Sequence, residues 1–120
     1  MTTVRMAIPH DFILGAAASA WQTEGWSGKK EGQDSWPDLW YKNDRHVWHN
    51  GYGPAVATDF INRFREDVLL MKLAGLTHYR TSINWSRFLT DYENVTVDED
   101  YAAYYCLLYT SDAADEEDSA

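Results

Sequence analysis

The residues best suited to chemistry in this 120-residue chain lie in two places. Gln22 and Glu24 stand two apart behind an apolar run, and Arg80 and Trp85 fall in an alternating stretch much later in the chain. A carboxamide such as Gln22 can accept one hydrogen bond and donate another to a ligand, although a glutamine that caps a loop fits the same sequence. An arginine inside a strand is costly to bury unless a carboxylate faces it. Nothing in the chain is an obvious partner for Arg80, and an edge-strand arginine in water is the alternative. Six Trp, eight Tyr and four Phe make up 15% of the chain. Most such side chains are core residues, but aromatic faces also grip flat, partly apolar groups such as sugar rings. His46 and His49 stand three apart, and two histidines without a clear third ligand are a weak metal pattern. There is no glycine-rich phosphate loop, no Ser or Cys nucleophile motif and no basic stripe for nucleic acid.

The elements that must position these residues can be read from periodicity. Phe12 to Ala20 reads as a short buried strand whose second half carries little side-chain bulk, with a buried helical turn as the rival reading. Residues 25–54 form a long segment of glycine, proline and polar residues interleaved with Trp26, Trp36, Trp40, Tyr41, Trp48 and Tyr52. So many large aromatics argue against disorder there. Thr58 or Asp59 can cap a helix running to about Ala74, with Phe60, Phe64, Val68 and Met71 as its apolar stripe. Arg63 and Asp67 stand four apart on its flank, and Gly75 is its stop. Thr77 to Trp85 then alternates, with Tyr79, Thr81, Ile83 and Trp85 on one face and Arg80, Ser82 and Asn84 on the other. The order strand, loop, helix, strand predicts a βαβ unit with parallel strands. Asp98 to Tyr105 reads as the opening of a further helix.

Composition narrows the classes. At 45% hydrophobic and 24% charged, the chain is ordinary for a globular protein. The net charge of −9 speaks against nucleic acid and anionic membrane partners, but it depends on the tail. Residues 1–105 hold 14 acids against ten bases, and the last 15 residues add five acids and no base. Cys106 is the only cysteine, so no disulfide framework follows. Arg5 followed by an apolar stretch with Ala18-Ser19-Ala20 mimics a signal peptide, yet Pro9, His10 and Asp11 interrupt the approach and the run is alanine-rich. No stretch approaches the ~20 apolar residues of a membrane span.

The segment Phe12-Ile-Leu-Gly-Ala-Ala-Ala-Ser-Ala-Trp-Gln-Thr-Glu-Gly25 resembles the N-terminal signature of glycoside hydrolase family 1. Leu14 stands where an aromatic is common, and Trp21 where Tyr or Phe is common. Tyr79-Arg-Thr-Ser-Ile-Asn-Trp-Ser-Arg87 is similar to the family's second strand, and the helix between fits its first barrel helix. The stretch Trp40 to Pro54 looks most like the 6-phospho-β-glucosidase branch. The resemblance implies an α/β (β/α)₈ TIM barrel of which two strands and one helix are present. Domain boundaries are expected at 1–105 for the barrel portion and 106–120 for a tail. From Cys106 that tail is similar to the translation of a transposon-end adapter used in sequencing libraries.

By the same resemblance, the parent hydrolyses β-glucosidic bonds in β-glucosides, phosphorylated ones included, by a retaining mechanism with two glutamates on later strands. Neither the Asn-Glu-Pro nor the Glu-Asn-Gly segment that carries them occurs here, so no catalytic residue is assigned and the chain alone is expected to be inactive. Gln22, Arg80 and Trp85 are its implied substrate-binding residues, Arg80 by orienting the nucleophilic glutamate, while Glu24 is implied to be structural. The expected ligand is a small carbohydrate, with no cofactor, no metal, no nucleic acid and no membrane, in the cytoplasm. The alternative from another class is a small non-catalytic carbohydrate-binding module built on exposed tryptophans.

Overall fold

The computed structural model describes residues 2–110. Strand β1 (Gly15–Ala17) leads into a single turn of helix, α1 (Ala20–Thr23), and strand β2 (His78–Arg80) lies parallel to β1. Gly15 faces His78, Ala16 faces Tyr79 and Ala17 faces Arg80. Small residues in β1 have a reason: a Cβ on Gly15 would come 2.7 Å from the carbonyl oxygen of His78. Helix α3 (Phe60–Leu73) is the crossover between the strands, so the predicted βαβ unit is present.

Phe60 and Phe64 on α3 are buried, with Met71 against them, as the apolar stripe predicted, while its fourth member, Val68, is half-buried outside that cluster. The helix ends at Gly75 (φ +88°), where the amide of Leu76 donates to the Met71 carbonyl, a left-handed stop that glycine adopts without strain. The flanking charges pair differently from the expectation. Arg63 reaches back to Asp59 at 3.6 Å rather than forward to Asp67. Asp59 itself is left-handed and binds Asn62 Nδ2 at 2.8 Å, so it closes the first turn through side chains.

Both predicted strands are shorter than their sequence patterns. Phe12, Ile13 and Leu14, expected to be buried, are exposed, because β2 is the only strand beside β1 among the described residues. The alternation from Thr77 to Trp85 is strand only to Arg80. Trp85 opens a helical turn, α4 (Trp85–Phe88), which carries Ser86 and Arg87 inward. The Arg87 guanidinium donates to the carbonyls of Gly25 (3.0 Å) and Ser27 (2.5 Å) and lies over the Tyr101 ring. A straight strand could not deliver that arginine, and the turn at Asn84 is what does so.

The aromatic segment holds a helix that its glycines and prolines concealed, α2 (Trp36–Asn43), followed by two 3₁₀ turns. Its organiser is Asp38, 1% exposed. One carboxylate oxygen accepts from the indoles of Trp21 (3.0 Å) and Trp26 (2.8 Å), and the other from Ser35 N, Ser35 Oγ and Lys29 Nζ. Beyond α4 comes a small antiparallel pair, β3 (Leu89–Asp91) and β4 (Thr96–Val97), which the sequence reading did not anticipate. Asp91 ties its turn by accepting from the amides of Glu93 and Asn94.

Helix α5 (Glu99–Thr110) begins at Asp98, whose carboxylate accepts from the amides of Asp100 and Tyr101. Tyr101, Tyr104, Tyr105 and Leu108 turn toward the α3 face, and with Phe60 and Phe64 they make the core. The helix continues through Cys106 to Thr110, so the backbone has no break at that cysteine. The rest of the expected tail lies outside the described residues. Among the described residues, no helix is long and apolar enough to cross a membrane.

Two substitutions measure these ties. Asp38→Ala strands two indole donors and a buried lysine, and is expected to cost roughly 3 kcal/mol of stability. Gly25→Ala places a Cβ 2.5 Å from the Val56 carbonyl oxygen at φ +82°, and is expected to cost about 1 to 3 kcal/mol. Urea unfolding followed by tryptophan fluorescence checks both.

Candidate substrate-binding site

Gln22 and Arg80 lie at the carboxyl ends of the two parallel strands, where such sheets place their binding groups, whereas Trp85, expected at the end of the second strand, opens α4 beyond it. Gln22 is an exposed residue of α1. Arg80 closes β2 opposite Ala17, and its carbonyl accepts from Ala18 N at 2.9 Å. Its side chain is exposed and, among the described residues, enters no ion pair. Trp85 is 60% exposed, its ring edge-on to Phe88 at 5.6 Å. The two strand ends are laced together, because Ala20 N donates to Ser82 Oγ at 3.0 Å. The backbone thus brings the Gln22 and Arg80 segments side by side, with Trp85 at the far end of the loop after β2.

Glu24 is different in kind. It is 2% exposed and accepts from the Tyr101 phenol (2.7 and 2.9 Å) and the Tyr105 phenol (3.1 Å). Tyr105 Oη also lies against the Ser82 carbonyl, and Tyr101 Oη accepts from Asn84 N at 3.3 Å. Burial raises the pKa of Glu24, with the two phenols and the Arg87 charge opposing but not cancelling it. Burial also raises the pKa values of Tyr101 and Tyr105, with the nearby Glu24 carboxylate adding to the effect, so both phenols keep their protons. Such a carboxyl, sealed under two tyrosines, has no route to a substrate oxygen. The arrangement fits a structural glutamate.

Beside it, Gln33 is fully buried and wholly used. Its amide nitrogen donates to the Arg87 carbonyl and to Asp98 Oδ2, each at 2.7 Å, and its oxygen accepts from Lys30 N. Lys30 Nζ completes the link to Asp98 at 2.6 Å. Sequence reasoning missed Gln33, Asp38, Arg87, Tyr101 and Tyr105. The one available signal was the spacing of Tyr101 and Tyr105, four apart on a helix opening at Asp98. His46 and His49 fall in separate 3₁₀ turns, one beside Asp44 and one beside Asn50. Among the described residues, no group of three or more His, Cys, Asp or Glu could hold a metal ion.

The sequence profile of Glycosyl hydrolase family 1 matches residues 4–116. The chain belongs to glycosyl hydrolase family 1. It is 38% identical over 88 residues to the 6-phospho-beta-glucosidase GmuD of Bacillus subtilis (strain 168), covering 72% of this chain and 19% of that protein. It is 35% identical over 101 residues to the cytosolic beta-glucosidase of Cavia porcellus, covering 83% of this chain and 21% of that one. Among solved family 1 structures, the psychrophilic beta-glucosidase BglU of Micrococcus antarcticus aligns at a TM-score of 0.72 and 33% identity, over 86% of this chain and 21% of that chain. The family 1 beta-glucosidase of the fungus Humicola insolens, solved with glucose, aligns at 0.71 and 30%, over 88% and 22%. The chain therefore spans about a fifth of the length of the relatives it matches, and its parallel strands and crossover helix are part of a family 1 TIM barrel.

The buried acids pull stability in opposite directions with pH. Burial works to raise the Asp38 and Asp98 carboxyls, but hydrogen bonds outweigh it and hold both low: Asp38 through Ser35 and the two indoles, Asp98 through Lys30 and Gln33. Their stabilisation is present above the ordinary aspartate range and is lost as pH falls through the lowered values. Glu24 is raised, so its contribution is full below about pH 4.5, the ordinary glutamate value, and is lost as pH rises through the folded-state value. Stability is expected to peak in mildly acid solution, and Glu24→Gln to flatten the decline above the peak. Urea midpoints measured between pH 3 and 8 check this.

Proposed function

We propose that this chain forms the floor of the glycone subsite of a β-glucosidase-type glycoside hydrolase acting on β-glucosides, including 6-phosphorylated ones. The observation that carries the reading is the parallel register of β1 and β2, because it puts Gln22 and Arg80 at the same end of neighbouring strands in a family 1 chain. In this reading the Gln22 carboxamide accepts from one glycone hydroxyl and donates to another, and Trp85 offers a ring face beside them. Arg80, exposed and without an ion pair among the described residues, orients the nucleophilic glutamate of a later strand. Retaining glycosidases need two carboxyl groups about 5 to 5.5 Å apart, one as acid and base and one as nucleophile. Glu24 is sealed away, and neither the Asn-Glu-Pro nor the Glu-Asn-Gly segment occurs in the 120 residues. The chain alone is thus inactive.

The phosphorylated substrate is supported by the likeness of residues 40–54 and by GmuD, while the other relatives named above are beta-glucosidases without that qualifier. A cytoplasmic location is supported by the cytosolic beta-glucosidase relative and the lone cysteine. The domain is read as residues 1–105, although α5 and the profile match both run past that point. Genomic sequence beyond the Tyr105 codon tests this: it is expected to continue into the two glutamate segments and the late Ser/Lys/Tyr group that resemblance assigns to phosphate. A natural stop codon after the present tail would remove the boundary.

Activity is tested by exchange. Residues 4–105, replacing the matching segment of GmuD, are expected to support release of nitrophenol from nitrophenyl β-glucoside 6-phosphate. Gln22→Ala in that chimera is expected to lower kcat/KM about 10- to 100-fold, the range for roughly 1 to 3 kcal/mol of lost hydrogen bonding. A chimera indifferent to that substitution would sink the assignment of Gln22.

A further inference from the structure

One hydrogen-bond count in the buried cluster does not close. Tyr105 Oη has a single proton, yet it lies against two acceptors, the Ser82 carbonyl and Glu24 Oε1. When Glu24 is ionised, its carboxylate is acceptor-only and competes for that proton. When Glu24 is protonated, it becomes a donor, can give its own proton to a phenol oxygen, and releases the Tyr105 proton to Ser82. The Tyr101 phenol is also committed, donating to Glu24 and accepting from Asn84 N. Ser82 and Asn84 both lie in the segment between Arg80 and Trp85, and Ser82 Oγ also holds Ala20, the first residue of the turn that carries Gln22.

We propose that Glu24 is a positioning residue whose proton is read by Tyr105: the charge on the carboxyl decides whether the phenol holds the Ser82 carbonyl, and so sets the loop that joins Arg80 to Trp85. The step is the loss of one proton from the Glu24 carboxyl to water, after which the Tyr105 hydroxyl turns from the Ser82 carbonyl to the carboxylate; no other covalent bond is made or broken. The groups that face Glu24 are Tyr101, Tyr104 and Tyr105 from α5, Arg87 from α4 and Tyr79 from β2, while α3 contributes the Ile61 amide to the Glu24 backbone carbonyl. Burial holds the three phenols in their protonated form, so Glu24 is the member whose charge changes. The consequence for sugar binding rests on the reading of Gln22 and Trp85 given above.

The test is carbon and nitrogen NMR of the labelled full chain across pH. The Glu24 carboxyl, the Ser82 carbonyl carbon and the Ile83 amide are expected to share one midpoint, above the ordinary glutamate range. Tyr105→Phe should leave Glu24 titrating and silence Ser82. Glu24→Gln should silence Ser82 and Ile83 together. A Ser82 carbonyl indifferent to Glu24, a Ser82 transition that survives Tyr105→Phe, or a Glu24 titrating as in a free peptide would each overturn the proposal. Glucose is then added on either side of the midpoint. A Gln22 side-chain amide and Trp85 indole that ignore glucose while the Ser82 coupling persists would remove the sugar-contact reading alone.

Discussion

Burying the Glu24 carboxyl constrains everything around it. A carboxylate moved out of water loses several kcal/mol of solvation, which has to be answered by donors that are themselves fixed. Here the donors come from α5, which begins after a hairpin and must lie back across both strand ends to bring Tyr101 and Tyr105 to the acid. Arg87 must turn inward to lend its charge, which ends the strand early and forms α4. Gly25 follows because the next residue passes against the Val56 carbonyl at a positive φ. One acid thus dictates where a helix packs, where a strand stops and where glycine is required.

Asp38 shows the same constraint solved differently. It is as buried as Glu24, but it collects five donors, including a lysine ammonium at 3.2 Å, and its charge is held. Glu24 receives only phenols, while the guanidinium beside it spends its hydrogen bonds on backbone carbonyls. The opposite pKa directions of the two acids follow from that difference in donors, since burial pushes both the same way. One acid is a fixed anchor for the aromatic segment, and the other is left able to change its charge.

What could be read beforehand divides along the same line. The α3 stripe, its glycine stop and the parallel pairing were legible because each depends on local periodicity or on chain order. The strand lengths, the turn at Trp85 and the helix inside the aromatic segment were not. Alternation from Thr77 to Trp85 satisfies a strand pattern as well as it satisfies strand, loop and turn, and only the distant carbonyls of Gly25 and Ser27 decide between them. The helix at Trp36 is set by Asp38, whose indole partners stand 12 and 17 residues away. The strand-end positions of Gln22 and Arg80 came from motif likeness, and the spacing of Tyr101 and Tyr105 marked a helix face without showing that it would meet Glu24.

The polar side chains fall into two groups by what folding asks of them. Glu24, Gln33, Asp38 and Arg87 are buried and bound, and each would be left uncompensated out of water without its partners. Gln22 and Arg80 are exposed at the strand ends, and no hydrogen bond or ion pair described above uses their side chains. Removing either would leave the packing of α3, α5 and the strand pair intact. An arginine in water costs the chain nothing, so its place at the end of β2 is not explained by stability. Residues that folding leaves idle, gathered where a parallel sheet presents its ligands, are the ones whose chemistry remains to be used by something outside the fold.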